Sequence, residues 1–387
     1  MKKLLILILL LLAAPAVAQQ APHWQPAEAR QLIAWLESAE ADALEPVAAE
    51  ADTVRAALAV GDAARLDAVA TAAAWRLLGA YRGQCCGPAR PPAWDIEGPA
   101  PYADQAAAIR TALEWNGLDR LFRTARPSHP HYAALRRAHA AETDPARRRI
   151  LAVNLARWRW MPRDLGERYL LVNAAAYEAT LWEEGRQVGR WRAIVGRLRT
   201  PTPVFEARVS GVVLNPWWEI PSSIAAEGIG AMVRNRPAEA RRRGYVLQNG
   251  RYRQRPGPGN ALGRMKLVMP NAYSVFLHDT SNRSLFERED RALSHGCVRI
   301  DDALGFAATL LSTRPDWDRE RVDRVVEAGV TATVDLAQPI PVYIAYFTAA
   351  PDATGAIRYY TDLYGRDAGV ARELASGGSD LSECAPV

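Results

Sequence analysis

A cysteine and two of the chain's six histidines fall within one stretch, His278 to Arg299, which reads HDTSNRSLFEREDRALSHGCVR. The chain has four Cys in all, so the run Ser294-His295-Gly296-Cys297 concentrates reactive side chains. A thiol attacks as its thiolate, which needs a neighbouring base or a positive field. His278 and His295 are the available bases. His295 stands two residues before Cys297, and on an extended segment such neighbours share a face. His278 stands nineteen residues earlier, enough for a separate strand to carry its imidazole across to the sulfur. Gly296 has no Cβ to obstruct close approach, so its N–H and that of Cys297 could both point at a developing oxyanion. Together these residues suit acyl transfer through a thioester.

The elements around this stretch read as short strands. Tyr169–Asn173, Ala176–Trp182 and Gln187–Val195 alternate and are separated by short turns, with Glu184-Gly185 suited to a hairpin. Arg208–Leu214, Lys266–Met269, Ser274–His278 and Thr331–Leu336 continue the pattern, and Val342–Phe347 with Ile357–Leu363 suggest a late hairpin around Asp352–Gly355. A helix from Asp301 to Leu311 should follow the Cys297 strand. Many short strands with few helices argue for a β-sandwich or a partly closed barrel. Between Pro221 and Gly263 the strand pattern lapses into helical Ile224–Arg234 and Ala238–Arg243 and a small hairpin around Asn249-Gly250. An insertion of that length is more often functional than neutral. Trp217 and Trp218 stand at its entrance. One should line the cleft and the other pack in the core, since strand neighbours face opposite ways.

Residues 24–150 read as mostly helical. Asp62 can cap a helix whose face includes Leu66, Val69, Ala73 and Leu77, and a second runs from Asp104 through Ile109 and Leu113 to Asn116-Gly117. Trp35, Trp75 and Trp115 are expected to pack between these helices. His129, His131 and His139 lack the further ligands of a tetrahedral metal site and read as solvated or locally hydrogen-bonded. No metal and no cofactor is called for.

Residues 1–18 have the form of a secretory signal: Lys2 and Lys3, an apolar run from Leu4 to Ala14, then Ala16-Val17-Ala18. The expected mature chain starts near Gln19, is periplasmic and has no permanent membrane span. Without residues 1–18 the formal charge is only +3, and no basic stripe stands out, which argues against a nucleic-acid partner. Export would permit a disulfide from Cys384 to Cys85 or Cys86.

The spacing from His278 to Ser294-His295-Gly296-Cys297-Val298-Arg299 resembles the signature of the L,D-transpeptidases with a YkuD-type catalytic domain. The stretches at 157–173, 199–205, 213–221, 256–266 and 363–367 are similar to their long, YcbB-like branch. That branch commonly carries an inserted peptidoglycan-binding domain, for which the close succession of helices after Tyr132 leaves no room here. The resemblance implies an α+β protein: a helical scaffold domain at 24–150, then a mainly β, sandwich-like catalytic domain at 151–350. It further implies a capping subdomain at 222–263 and a hairpin and tail at 351–387. It implies a cysteine acyl-enzyme on peptidoglycan stem peptides that end in a D-amino acid, making 3-3 crosslinks, with cell-wall synthesis proteins as possible partners. Cys297 would be the nucleophile and His278 the base, oriented by the backbone carbonyl of Asp279. Gly296 and His295 would support catalysis, and Arg299, Ser294, Trp217, Trp218 and Asp279 would line the substrate site. Hydrolysis by the same acyl-enzyme, as an L,D-carboxypeptidase or a crosslink-cleaving amidase, stays open. So does a non-catalytic wall-binding scaffold.

Overall fold

The computed structural model describes residues 22–84, 88–100 and 104–375. The signal-like residues 1–18, together with Cys85, Cys86 and Cys384, lie outside the described residues.

The first part of the chain is helical. It runs through α1 (Pro26–Ser38), α2 (Glu45–Ala48), α3 (Glu50–Val60), α4 (Ala63–Tyr81), α5 (Gln105–Glu114), α6 (Leu118–Ala125), α7 (Pro130–Ala141) and α8 (Pro145–Arg159). Starts are set by side-chain caps: Asp62, Asp104 and Asp144 each accept a backbone N–H of the first turn, and Pro145 occupies the first position of α8. Leu32, Leu36, Val54, Leu77 and Phe122 fill the core between α1, α3, α4 and α6. The fully buried carboxylate of Asp42 ties this core to α7. It pairs with Arg126 (3.0 Å) and Arg136 (3.1 Å) and accepts from the hydroxyls of Tyr81 and Tyr132. Trp35 and Trp75 pack against the core as expected, but Trp115 does not: it follows the last turn of α5, before Asn116 at φ 49, and is 80% exposed.

The remainder is mainly β. Trp94–Asp95 (β1) is followed by β2 (Arg168–Asn173), β3 (Glu178–Glu183), β4 (Arg186–Gly196) and β5 (Val204–Leu214). The Glu184-Gly185 turn joins β3 to β4 with both residues at positive φ (48° and 74°), as a two-residue hairpin turn requires. The excursion after β5 contains β6 (Trp218–Glu219), α9 (Ser222–Ile224), a π-type turn at Ala225–Ile229, α10 (Gly230–Asn235) and α11 (Pro237–Arg242). It ends with β7 (Tyr245–Gln248) and β8 (Arg251–Gln254), and β6, β8 and β7 form its own small sheet. Then come β9 (Met265–Val268), β10 (Leu277–His278), β11 (Ala292–Ser294), β12 (Val298–Ile300), α12 (Ala303–Leu311), α13 (Arg319–Glu327) and β13 (Ala332–Ala345). The order β5-β13-β2-β3-β4-β12-β10-β9 closes on itself because β9 also pairs β5, so the strands form a ring.

Several of these strands are buried on both faces. Leu170 and Val172 of β2, Leu181 of β3, and Val342 and Ile344 of β13 point into the ring, where α12 fills one end with Phe306, Leu310 and Leu311. Their alternates Tyr169, Leu171, Trp182, Tyr343 and Ala345 face the helical layer and pack with Trp158, Leu151 and Leu155 of α8. The late hairpin is displaced from expectation. Val342–Ala345 completes the long β13, which carries a register shift between Asp335 and Ile340. The hairpin itself pairs β14 (Ala349–Pro351) with β15 (Ile357–Tyr359). The chain then adds α14 (Asp367–Ala375), which docks on α8 through Asp367 and the buried Arg157, 2.7 Å apart.

His131 and His139 are buried rather than solvated, while His129, half-buried, is locally hydrogen-bonded, one of the two expected outcomes. His129 lies between Trp158 (ring centroids 4.2 Å) and Trp182 (4.5 Å), and its Nδ1 caps α7 by accepting from the His131 N–H. Burial holds all three imidazoles below their ordinary pKa, that of His131 at about 4. The folded His131 imidazole is neutral down to about pH 4, whereas the unfolded chain protonates it near 6.5, so acid draws a proton to the unfolded state and stability falls as pH falls from about 6.5 toward 4. Each such group contributes a slope of about 1.4 kcal/mol per pH unit. Urea denaturation should therefore show the wild type losing about 1–2 kcal/mol more than His131→Phe between pH 7 and pH 5. Parallel losses in the two proteins would refute the assignment.

Candidate active site

β10 and β12 run parallel, pairing Leu277 with Val298 and His278 with Arg299. Leu277, Val298 and Ile300 point into the ring core. The alternates Phe276, His278, Cys297 and Arg299 therefore share the opposite face, and all four line a cavity of about 1320 Å³. The insertion forms its far wall with Trp218, Ile220, Glu227, Arg234 and Tyr252. Among the described residues no three of His, Cys, Asp and Glu converge to hold a metal ion, and no helix is long and apolar enough to cross a membrane.

His278 is buried, and its Nδ1 donates to the backbone carbonyl of Asp279 at 2.5 Å, which leaves Nε2 as the nitrogen free to exchange a proton. Burial pushes its pKa down to about 3, the Arg299 guanidinium pushes the same way, and the carbonyls of Asp279 and Leu262 oppose them. Burial also pushes the Cys297 thiol up, against the pull of the Phe276 backbone, Arg299 and Lys266. Both shifts favour the uncharged forms of thiol and imidazole.

The turn around Cys297 is held from within. Ser294 Oγ donates to the Cys297 carbonyl (2.6 Å) and accepts the Gly296 N–H (3.0 Å). The Gly296 N–H is therefore committed and does not serve as an oxyanion donor. Gly296 is required instead for its backbone, at φ 114. The Cys297 N–H goes to no described protein acceptor.

The other expected site residues divide. Arg299 lines the cavity, and among the described residues its buried Nε has no partner and no carboxylate pairs with it. Trp218 lines the cavity as well. Trp217 does not: it lies under the Arg253 guanidinium (4.4 Å), and neither tryptophan enters the core, because the strand there is only two residues long. The Asp279 carboxylate also faces away from the cleft. It accepts from the Arg264 N–H and pairs with Arg283, and a side chain at Gly263 would collide with it. His295 reaches across to the insertion, its Nε2 3.0 Å from Glu227 Oε2, and Arg197 lies 3.8 Å from the same carboxylate. Lys266, Thr202 and Glu227 were not singled out from sequence. For Lys266 there was a signal, since it is the one lysine outside the signal-like segment.

Residues 167–334 match the family model described as the L,D-transpeptidase catalytic domain, YkuD, and residues 16–138 match one described as a scaffold domain. Most of the ring of strands falls within the segment that matches the YkuD catalytic domain. A Haemophilus influenzae relative, provisionally named an L,D-transpeptidase, is 31% identical over 237 residues, which cover 56% of this chain and 48% of the relative. The chain thus spans about half the length of that relative. Among solved structures, an L,D-transpeptidase from Mycobacterium smegmatis is 13% identical, covering 46% of this chain and 58% of its own, with a TM-score of 0.25. L,D-transpeptidase 3 from Mycobacterium tuberculosis is likewise 13% identical, covering 46% and 61%, with a TM-score of 0.24. Likenesses that slight carry no argument. The match to the YkuD domain ends within β13, so the rest of that strand, the β14–β15 hairpin and α14 extend beyond it.

Proposed function

We propose that this protein is a peptidoglycan L,D-transpeptidase of the long, YcbB-like branch, exported to the periplasm through residues 1–18. It works through a Cys297 acyl-enzyme on stem peptides that end in a D-amino acid. The observation that carries the reading is the shared cleft face of Cys297, His278 and Arg299, with His278 fixed by the Asp279 carbonyl. In acylation the thiol proton passes to His278 Nε2 as Sγ bonds the carbonyl carbon of the third stem residue. The bond from that carbon to the terminal D-residue nitrogen breaks, and His278 returns the proton to the departing amine. In transfer the side-chain amine of a second stem attacks the thioester, its C–N bond replaces C–S, and the amine proton returns through His278 to sulfur. The product is a 3-3 crosslink. Arg299, without a carboxylate partner among the described residues, suits a substrate carboxylate.

Incubating the full chain with purified muropeptides and measuring masses tests this. Dimers that have lost one terminal D-residue, and only with Cys297 present, are the expected product. Shortened monomers alone would replace transpeptidation with carboxypeptidase activity, and cleavage of supplied dimers would replace it with amidase activity. Unchanged stems would leave only a wall-binding scaffold.

A further inference from the structure

The stretch between β4 and β5, Arg197–Pro203, folds back under the nucleophile turn. Gly196 permits this, because a Cβ there would strike Thr200 O and Thr202 N. Thr202 is fully buried, and both functions of its hydroxyl are used: it accepts from Gly196 N (2.8 Å) and donates to Gly296 O (2.9 Å). The Gly296 carbonyl belongs to the same planar peptide unit as the Cys297 N–H, and in a trans peptide the two point in opposite directions. Holding the carbonyl on the protein side therefore holds that N–H on the other, beside the thiol that lines the cleft.

Thr202 is itself held from the end of the chain. Its N–H donates to Tyr364 Oη (3.3 Å), Tyr364 Oη donates to Gly196 O (2.6 Å), and Arg366 donates to Thr202 O (3.2 Å). Tyr364 stacks on Tyr346, Arg366 lies over both rings, and Asp362 accepts from the Tyr346 hydroxyl and the Arg366 N–H. All four residues lie beyond the segment matched as the YkuD domain.

We propose that Thr202 is a positioning residue for acyl transfer, its hydroxyl locking the Gly296–Cys297 peptide so that the Cys297 N–H meets the oxyanion, and that Tyr364 and Arg366 hold Thr202 from the C-terminal segment. This rests on the reading of Cys297 as an acyl-enzyme nucleophile. It separates two kinds of reaction at the same sulfur. Opening a carbapenem ring forms C–S at the lactam carbonyl and breaks C–N, with negative charge passing through the carbonyl oxygen. Iodoacetamide forms C–S at a methylene carbon and expels iodide, with no oxyanion.

Both reactions are followed by intact mass on the full chain as wild type, Thr202→Val, Thr202→Ser and Tyr364→Phe. Thr202→Val should lower carbapenem acylation by about 10²-fold, the scale of a lost oxyanion donor, with alkylation changed by less than about threefold. Thr202→Ser should restore most of the acylation. Tyr364→Phe, which removes one hydroxyl from a stacked ring, should fall between, and it carries the test where Thr202→Val does not fold. Equal acylation in Thr202→Val and wild type overturns the proposal alone, as does a parallel loss of acylation and alkylation. A wild type that takes no carbapenem at Cys297 overturns the acyl-enzyme reading and this proposal with it.

Discussion

Alanine at position 297 should yield a folded protein that crosslinks no stems and takes up no acyl group. The substitution removes one sulfur from a half-buried position, and the turn does not depend on that sulfur. The turn is built from the Ser294 hydroxyl, the Gly296 backbone and the Cys297 carbonyl, and alanine keeps the backbone groups. The loss is therefore chemical. No other described thiol exists to substitute, since Cys297 is the one cysteine among the described residues. The measurement is a muropeptide assay beside a thermal melt. An unchanged melting temperature with no dimer product is the expected pair, and full crosslinking by the variant would refute the proposed function outright.

Alanine at position 278 should slow acylation by about 10²–10⁴-fold, the range of a positioned acid–base group. The effect is large because thiol and imidazole rest uncharged. Attack must wait for a proton to leave sulfur, and His278 lines the same cleft face as Cys297. A stability loss of about 1–3 kcal/mol should accompany the change, since the buried Asp279 carbonyl loses its donor. His295→Ala should cost less, because that imidazole is exposed and engaged with Glu227 across the cleft. Single-turnover rates with a carbapenem decide the order, and a greater loss at 295 than at 278 would exchange their roles.

The helical and β regions could be read from sequence because cap residues and strand alternation are local signals. Asp62, Asp104 and Asp144 announce helix starts, and Glu184-Gly185 announces a turn. Ring closure could not be read, since the β5–β9 pairing joins strands separated by the whole insertion. The surroundings of His129 could not be read for a related reason: a polar residue beside proline resembles a loop until Trp158 and Trp182, distant in sequence, pack against it. At the site, Cys297 and His278 stood out from residue type and spacing, and Arg299 from the family resemblance. The commitment of the Gly296 N–H was not, because it depends on which way the Ser294 hydroxyl points. Thr202 was hidden more deeply, as a threonine in a proline-rich turn gives no sign of the peptide that it holds.

The uncharged rest state of His278 and Cys297 has a consequence for survival of the nucleophile. Oxidants and stray disulfides react with thiolate and hardly with thiol, so a sulfur whose ionisation is held back by burial is chemically quiet. The positive charges of Arg299 and, to a lesser extent, Lys266 help to keep His278 unprotonated. On the proposed function, a substrate carboxylate on the Arg299 guanidinium would offset its field and make the imidazole a better proton acceptor. Reactivity would then follow substrate binding, and the thiol would stay quiet until that point.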